Sequence, residues 1–285
     1  MTMTPASHRY DVVGSCVLFN TPLNEITRMV AQFGQSGCRT HLMFVDNSPE
    51  PIAMPAFDPE RVTVLRPGRN LGYGAGNNRA LTASAGWSRY FLILNSDLEF
   101  DGQGIDRMVS YLDHHPDVVL AAPRVVYPDG RLQTLCRLLP TPADLLGRQF
   151  RPNAKATHDR NVRYEFRDWS YDHPAQFPFL SGCFMLARRS ALDELGGFDE
   201  RFFLYGEDVD LSRRLHAKGR TMFVPVMTIV HDYRSRVGFK PHLIRLMVTN
   251  LARYFSKWGW VFDRDRGAIN RRAVAELDRF RNEGP

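Results

Sequence analysis

Short apolar runs that alternate with helical segments constrain the fold of this chain more than any other feature of its sequence. Four such runs precede residue 95, at residues 12–19, 41–45, 62–65 and 90–94. A strand that is apolar throughout has to be covered on both faces, and helices that alternate with such strands provide the cover. We therefore expect an α/β fold with a mainly parallel sheet flanked by helices.

Further elements follow from local signals. The segment 23–33 has apolar residues at the spacing of one helix face, and residues 79–85 predict a helix after a glycine-rich loop. Residues 179–187 predict one further strand, and residues 188–195 a helix that two glycines end. Residues 141–175 are rich in Arg, Asp and Pro without a clear period, so we expect a mobile excursion there.

The composition indicates a globular protein of the cytosol. The chain is 44% hydrophobic and 24% charged, and its four cysteines form neither a Cys-x-x-Cys pair nor a cluster with histidine. This excludes a disulfide scaffold or a zinc knot and suits a reducing compartment. Residues 1–10 lack the apolar centre of a signal peptide, and no run approaches the ~20 apolar residues of a membrane span. We expect a cytoplasmic protein that can associate with the inner face of the plasma membrane.

The positive charge lies near the C-terminus. The net charge is +6, and from Arg234 onward the chain has 12 Lys and Arg residues against 5 Asp and Glu residues. Residues 241–258 predict an amphipathic helix whose apolar face either docks on the domain or contacts a membrane surface. We expect a catalytic domain at 8–235 and a basic amphipathic helical extension at 236–285. No nucleic-acid-binding module accompanies the charge, so we expect no nucleic-acid partner.

Polar residues follow the predicted strands at equivalent positions. They are Asn20 and Thr21 after the first strand, Asp46 and Asn47 after the second, and Asn95 and Asp97 after the fourth. Ligands of open α/β sheets bind outside the carboxyl ends of the strands. Asp97 is suited to bind Mg²⁺ or Mn²⁺, and His231 ends another apolar run.

A glycine-rich stretch could bring the backbone close to a phosphate or a ribose. Its candidate residues are Asn70, Gly72, Gly74 and Asn77. A dinucleotide-binding glycine fingerprint normally follows the first strand, where this chain has Asn20-Thr21-Pro22, so a dinucleotide fold is disfavoured. The P-loop motif does not occur in the sequence. A simple glycine-rich turn before a helix remains the alternative.

Three carboxylates interrupt a segment that otherwise resembles protein core. Glu207, Asp208 and Asp210 lie between Tyr205 and Leu211. Burial raises the pKa of a carboxyl group and makes it useful as a base. The alternative is helix punctuation, with the first two acids at a helix N-terminus. We assign Asp210 a structural role in the helix.

These motifs, in this order, resemble the family-two inverting glycosyltransferases, and within them the bacterial rhamnosyltransferase group. The match runs from about Val12 to Arg236, and residues 196–208 are its most specific part. The resemblance implies a GT-A fold with a C-terminal helical extension, a nucleotide-diphosphate sugar donor and a divalent cation, Mg²⁺ or Mn²⁺. The usual Asp-x-Asp motif appears here as Asn95-Ser96-Asp97, so one carboxylate is missing.

The resemblance also implies residue roles. Asp208 is the catalytic base, Glu207, Ser181 and Gly182 bind the acceptor, and Asp97 and His231 bind the metal. The donor residues implied are Asn20, Thr21, Asp46, Asn47, Asn70, Gly72, Gly74, Asn77, Asn95 and Asp97.

The implied reaction moves a sugar to a hydroxyl of a lipid-linked or growing surface polysaccharide. The subgroup implies L-rhamnose from dTDP-L-rhamnose, within the wider class of dTDP- and UDP-sugars. The basic amphipathic helix near the C-terminus predicts peripheral membrane contact. One alternative is a sugar-nucleotide nucleotidyltransferase, but its Gly- and Arg-containing loop is missing after the first strand. Another is a non-catalytic carbohydrate- or partner-binding protein, which the incomplete Asp-x-Asp favours and the intact Glu207-Asp208 opposes.

Overall fold

The computed structural model describes residues 8–144, 155–232 and 241–283. Part of the predicted excursion (residues 145–154) and the start of the predicted C-terminal extension (residues 236–240) lie outside the described residues.

Strands and helices alternate along the first half of the chain, as predicted. The strands are β1 (Tyr10–Leu18), β2 (Thr40–Asp46), β3 (Val62–Leu65), β4 (Ser88–Leu94), β5 (Leu98–Glu99), β6 (Val118–Val126), β7 (Cys136–Arg137), β8 (Ala175–Gln176), β9 (Phe179–Leu180), β10 (Phe184–Arg188) and β11 (Arg220–His231). The helices are α1 (Leu23–Phe33), α2 (Tyr73–Ala83), α3 (Gln103–His114), α4 (Lys155–Tyr164), α5 (Arg189–Leu195), α6 (Glu207–His216), α7 (Pro241–Trp258) and α8 (Arg266–Glu283).

One large sheet organises the described residues. Its order is β3-β2-β1-β4-β10-β6-β11-β5, and β8 pairs with β11. The strands from β3 to β4 are parallel, β6 is parallel to β11, and β10 runs antiparallel between β4 and β6. The predicted α/β sheet flanked by helices is therefore confirmed, and antiparallel strands complete it.

The strand directions bring the ends of several strands to one edge of the sheet. Leu18 pairs with Asp46, so β1 and β2 end together, and β10 begins opposite the end of β4, where Phe184 pairs with Leu94. Because β10 is antiparallel to both β4 and β6, the strands β4, β6 and β11 run in one direction. The end of β11, at His231, therefore lies at the same edge.

Helices bury both faces of the sheet. Side chains of α1 and α3 pack on one face (Ile26, Met29, Ile105 and Met108). Side chains of α2, α5, α6 and α8 pack on the other (Ala80, Leu81, Leu192, Leu211, Leu215, Ala273 and Leu277). The short strands are apolar at successive positions because helices cover both of their faces.

The glycine-rich stretch corrects one prediction. Helix α2 begins at Tyr73 instead of at Arg79, so most of this stretch is helical. Gly72 has a φ of +85°, and a Cβ atom there would lie 2.2 Å from the carbonyl oxygen of Phe203. The N–H of Tyr73 donates to that same oxygen at 2.9 Å. Glycine is required at position 72 so that the start of α2 can contact the segment before α6.

Two further predictions need correction. The strand expected at 179–187 is divided into β9 and β10 by Ser181, Gly182 and Cys183. The interpretation of residues 141–175 as a mobile excursion is wrong for its described part, which contains α4 and β8. Aromatic side chains from this region lie in the core (Tyr164, Phe166, Trp169 and Tyr171). Aromatic packing, which has no sequence period, orders it.

Helix α7 docks on the rest of the chain through a buried carboxylate. Asp210 is fully buried in α6, where it accepts hydrogen bonds from Arg214 at 2.8 Å and from the indole of Trp258 at 2.8 Å. The ammonium of Lys257 lies 2.7 Å from the same side chain. The side chains of Tyr254 and Phe255 are also buried. No helix in the described ranges has the length and hydropathy needed to cross a bilayer.

Candidate active site

Asp208 lies in the first turn of α6, at the edge where the strands end. Its Oδ2 accepts the N–H of Gly182 at 3.1 Å, and its Oδ1 accepts the N–H of Val209 at 2.9 Å. Gly206, just before the helix, has a φ of +94°, which gives the chain the turn it needs to enter α6. The carboxylate is thus fixed by backbone donors on two sides, and its residue remains partly exposed.

Glu207 is almost completely buried beside Asp208, with 5% of its surface exposed. Burial raises the pKa of Glu207 well above its ordinary value, and the charge of Asp208 raises it further. Burial also raises the pKa of Asp208, although the Gly182 N–H and the Arg137 guanidinium favour its ionised form. Within the described residues, Oε2 of Glu207 has no hydrogen-bond partner. The two acids form a pair with different properties. Asp208 can take a proton, and Oε2 of Glu207 is open to a hydrogen bond from a ligand.

Tyr73 is a site residue that the sequence analysis missed. Its hydroxyl donates to the carbonyl oxygen of Gly182 at 2.6 Å, so it fixes the residue whose N–H holds Asp208. Burial raises the pKa of Tyr73 well above its ordinary value, and the charges of Glu207 and Asp208 add to that shift. The hydroxyl therefore stays protonated and acts as a donor. Its only sequence signal was its place inside the glycine-rich stretch.

Asp97 and His231 meet at the ends of their strands, as the predicted metal pair requires. Oδ1 of Asp97 and Nε2 of His231 lie 3.4 Å apart. The side chain of His231 is 5% exposed and that of Asp97 is 23% exposed. No group of three His, Cys, Asp or Glu side chains suited to a metal ion occurs in the described part of the chain.

Gln133 fixes the orientation of His231. Its Nε2 donates to the carbonyl oxygen of His231 at 2.7 Å, so its Oε1 is the atom that lies 3.0 Å from Nδ1 of the ring. An amide oxygen only accepts, and Nδ1 therefore carries the ring proton. In the neutral ring, Nε2 is then an acceptor next to a carboxylate oxygen, a donor set that suits a divalent cation. When the ring is protonated, the same two atoms form an ion pair.

Cys183 connects the metal pair to the acid pair. Burial raises the pKa of its thiol to about 12, and the charges of Asp97 and Asp208 both contribute to that shift. The N–H of Asn95 donates to the carbonyl oxygen of Cys183 at 2.9 Å. The break between β9 and β10 therefore brings the two predicted centres to one place.

Part of the predicted donor set forms a connected group. Nδ2 of Asn47 donates to Oδ1 of Asn70 at 3.3 Å and to the carbonyl oxygen of Gly72 at 3.0 Å. Oδ1 of Asn47 is buried and, among the described residues, accepts no hydrogen bond. Asp46 accepts the N–H groups of Ser48 and Ile52 at 3.1 and 2.8 Å, so its carboxylate also shapes the loop that follows β2.

Gly74 and Asn77 have structural explanations that the sequence analysis did not foresee. A Cβ atom on Gly74 would lie 3.0 Å from Cβ of Phe198, so the glycine permits close packing. Asn77 is fully buried, accepts from the hydroxyl of Ser15 at 2.7 Å and donates to the carbonyl of Tyr73 at 3.0 Å. Both Oδ1 and Nδ2 of Asn77 are hydrogen-bonded within the protein, so no reason remains to assign this side chain a contact with the donor.

The remaining predicted residues lie around the same edge. Asn20 is exposed with a φ of +50°, and its N–H donates to the hydroxyl of Ser48 at 2.8 Å. Thr21 is buried and accepts the N–H of Phe19. Ser181 begins the break between β9 and β10, where its N–H donates to a carbonyl at 3.2 Å. Arg137, which the sequence analysis missed, supplies positive charge next to Asp208.

Comparison with known sequences identifies relatives of this arrangement. The sequence profile of glycosyl transferase family 2 matches residues 43–196, more than half of the chain. An N-acetylglucosaminyl-diphospho-decaprenol L-rhamnosyltransferase of Mycobacterium tuberculosis is 31% identical over 197 residues, which are 63% of this chain and 62% of that protein. The rhamnosyltransferase WbbL of Escherichia coli is 42% identical over 72 residues, 23% of this chain and 27% of that protein. The match thus spans less than two thirds of either relative.

Solved structures share the fold. GalNAc-T7 with UDP, GalNAc and Mn²⁺ aligns with 96% of this chain and 54% of its own, with a TM-score of 0.62 and 16% identity. The mannosyltransferase PcManGT of Pyrobaculum calidifontis, in complex with GDP-Man and Mn²⁺, aligns with 98% of this chain and 77% of its own, with a TM-score of 0.57 and 15% identity. These likenesses confirm the GT-A fold that the resemblance implied.

Proposed function

Because this chain belongs to glycosyl transferase family 2, we propose that it transfers a sugar, with inversion, from a nucleotide-diphosphate donor to a hydroxyl group of an acceptor. The observation that carries the proposal is the meeting of two centres at one edge of the sheet. The Asp208 carboxylate accepts the N–H of Gly182, and the carbonyl of the next residue, Cys183, accepts the N–H of Asn95, two residues before Asp97. The Asp208 carboxylate can take a proton, and the Asp97–His231 pair can hold a cation beside a phosphate group.

The proton chemistry is assigned to Asp208. Its carboxylate accepts the proton of the acceptor hydroxyl while the acceptor oxygen forms a bond to the anomeric carbon. The bond between that carbon and the donor phosphate breaks, and the diphosphate leaves with the electron pair. A single displacement inverts the anomeric carbon, and the leaving group needs no proton. One base is sufficient, whereas glycosidases typically use two carboxyl groups.

Asp97 and His231 would hold the divalent cation, Mg²⁺ or Mn²⁺. Such a cation, when bound, offsets the negative charge that develops on the leaving diphosphate. His231 presents its unprotonated Nε2 because Gln133 occupies Nδ1. The structures of GalNAc-T7 and PcManGT contain Mn²⁺ with a nucleotide or a nucleotide sugar, which supports this choice of cofactor.

The substrates follow from the relatives. The name of the Mycobacterium tuberculosis relative specifies rhamnosyl transfer to a diphospho-decaprenol-linked sugar. We assign this chain dTDP-L-rhamnose as donor and a lipid-linked or growing surface polysaccharide as acceptor. The donor lies along Asn47, Asn70 and Gly72, with Asn20, Thr21, Asp46 and Asn95 around it. Glu207, Ser181 and Gly182 face the acceptor.

The same reasoning assigns a place for the reaction. A lipid-linked acceptor lies at a membrane, and a nucleotide sugar is made in the cytoplasm. We propose that the transfer takes place at the inner face of the plasma membrane. Residues 8–235 form the catalytic domain, and the basic extension 236–285 provides the membrane contact. The positive surplus of the extension suits an anionic lipid surface.

A thermal-shift panel tests the proposal. The melting temperature is measured with dTDP-L-rhamnose, dTDP, UDP and GDP, each with and without Mn²⁺, because a ligand that binds the folded state stabilises it. We expect the dTDP compounds to give the largest shift and Mn²⁺ to increase it. The variant Asp97→Ala should bind nucleotide without the Mn²⁺ increment, whereas the exposed control Asp129→Asn should keep it. The absence of a shift with every nucleotide would contradict the proposed function.

A further inference from the structure

The loop between α7 and α8 turns three consecutive apolar side chains toward solvent. Trp260 is 48% exposed, Val261 is 76% exposed and Phe262 is 93% exposed. We call these three residues the 260–262 tip. Single exposed apolar residues are common on protein surfaces, but three in succession at the end of a loop are a contiguous patch.

Two backbone carbonyls of the tip, those of Trp260 and Val261, are directed inward. The guanidinium of Arg266 lies within 3.5 Å of the carbonyl oxygens of Gly259, Trp260 and Val261. Arg266 is itself 8% exposed and is held next to Asp263, whose Oδ2 lies 3.7 Å away. A loop can enter an apolar medium only when its peptide groups find internal partners, because each unsatisfied group costs several kcal/mol there. The tip meets this requirement at the carbonyls of Trp260 and Val261, which Arg266 contacts.

A buried ion pair anchors the tip to the body of the protein. Both side-chain oxygens of Asp263, the residue after the tip, lie 2.6 Å from the guanidinium of Arg213 in α6. The two side chains are 1% and 4% exposed. On the other side, the ring of Trp260 packs against that of Phe255, with 5.2 Å between the ring centroids. The exposure of Val261 and Phe262 therefore belongs to an anchored loop.

The charges around the tip suit an anionic surface. Arg264 is exposed two residues after Phe262, and Arg271 and Arg272 are exposed on α8. Asp265 is an exposed acid next to Arg264, while Asp263 is neutralised by its partner. An apolar tip that contains tryptophan and is flanked by basic residues has the composition of a segment that inserts into the interface of a bilayer.

We propose that the 260–262 tip inserts into the headgroup region of an anionic lipid bilayer and seats the protein on it. This proposal rests on the proposed function, which assigns a lipid-linked acceptor. It places the membrane contact at this loop instead of at the face of α7. The face of α7 is partly used for docking, since Tyr254 and Phe255 are buried.

The anchor also relates the membrane to the site. Arg213, which holds the tip, and Asp208 lie on the same helix, five residues apart. At 1.5 Å of rise per residue, that separation is about 7.5 Å along the axis. The tip is therefore anchored to the same helix that carries the proposed base, and a bilayer that contacts the tip lies against that part of the protein.

Vesicle binding tests the proposal without any substrate. The full chain is sedimented with vesicles of phosphatidylcholine alone and of phosphatidylcholine mixed with phosphatidylglycerol. We expect binding to the mixed vesicles that weakens in high salt. The double variant Val261→Ser with Phe262→Ser should reduce the partition coefficient by about tenfold or more, because two exposed apolar side chains lose their transfer into lipid. The control Val226→Ser, which alters an exposed valine on β11, should bind like the wild type.

Several results would overturn the proposal. One is a double variant that partitions as the wild type does, and another is a wild type that binds neither kind of vesicle. A third is a wild-type dimer in sedimentation velocity that the double variant dissociates, because the tip would then be a protein interface. Equal binding to neutral and anionic vesicles would remove the electrostatic part. The nucleotide thermal shift of the same variants, measured without vesicles, separates this proposal from the proposed function, since each can fail while the other holds.

Discussion

The N–H of Gly182 donates a hydrogen bond to Oδ2 of Asp208 at 3.1 Å, and so links the break in a strand to the first turn of a helix. The carbonyl of the same glycine accepts from the hydroxyl of Tyr73. A Cβ atom on Gly182 would lie 3.1 Å from that of Asp208, so a larger residue would press on the carboxylate. The position of the proposed base is thus set by one glycine and, through it, by one tyrosine.

The variant Tyr73→Phe should lower the turnover number and leave nucleotide affinity unchanged. The loss of one hydrogen bond to the Gly182 carbonyl costs about 0.5–1.5 kcal/mol, which corresponds to a roughly two- to tenfold lower kcat. Steady-state kinetics with dTDP-L-rhamnose and calorimetric binding of dTDP separate the two quantities. Tyr111→Phe, near the start of β6 and β11 at the opposite edge of the sheet, serves as the control. A weaker dTDP affinity with an unchanged kcat would show that Tyr73 does not position the base.

The variant Gln133→Leu should weaken metal binding. Without Gln133, the ring proton on Nδ1 of His231 loses the acceptor that Oε1 provides, and partners of this kind typically contribute 10–100-fold to metal affinity. A Mn²⁺ titration followed by the thermal shift in the presence of dTDP measures the effect. Gln133→Glu keeps an acceptor for the ring and should recover part of the affinity, and the exposed Gln103→Leu should have no effect. An unchanged Mn²⁺ midpoint in Gln133→Leu would contradict this role.

The variant Glu207→Gln should be more stable than the wild type at neutral pH. Burial raises the pKa of Glu207 in the folded state, so the folded protein holds that proton more tightly than the unfolded chain does. The associated stability is present below the ordinary carboxyl pKa of about 4.3 and is lost as the pH rises toward the raised value. Each unit of pKa shift corresponds to about 1.4 kcal/mol. Urea denaturation from acid to neutral pH should show a gap in unfolding free energy that widens with pH, whereas Glu50→Gln, at an exposed position, should give a constant gap.

Local sequence signals predicted the fold and the edge at which the site lies. Buried strands are apolar at successive positions, and polar residues begin where each strand leaves the core. The sequence alone therefore places Asp46, Asn95 and His231 at strand ends. Asp97 and His231 do lie side by side. These predictions succeeded because they depend on periodicity and on strand direction, which the sequence encodes locally.

Long-range contacts could not be predicted in this way. Gln133 reaches His231 across 98 positions, and Tyr73 reaches Gly182 across 109, and neither partner has a local signal. The glycine-rich stretch predicted close approach of a phosphate or a ribose, but a glycine permits close approach of any neighbour, including another side chain. At Gly74 that neighbour is the side chain of Phe198, so packing alone explains the glycine.

The most direct test of the central claim is the transfer rate of Asp208→Asn, measured together with its nucleotide binding. The amide keeps the size of the side chain but cannot take a proton at neutral pH, so transfer from dTDP-L-rhamnose should fall by about 10²–10⁴-fold. The thermal shift with dTDP and Mn²⁺ should persist, and Asp129→Asn should behave like the wild type. Transfer by Asp208→Asn near the wild-type rate, with the nucleotide shift intact, would contradict the assignment of Asp208 as the base.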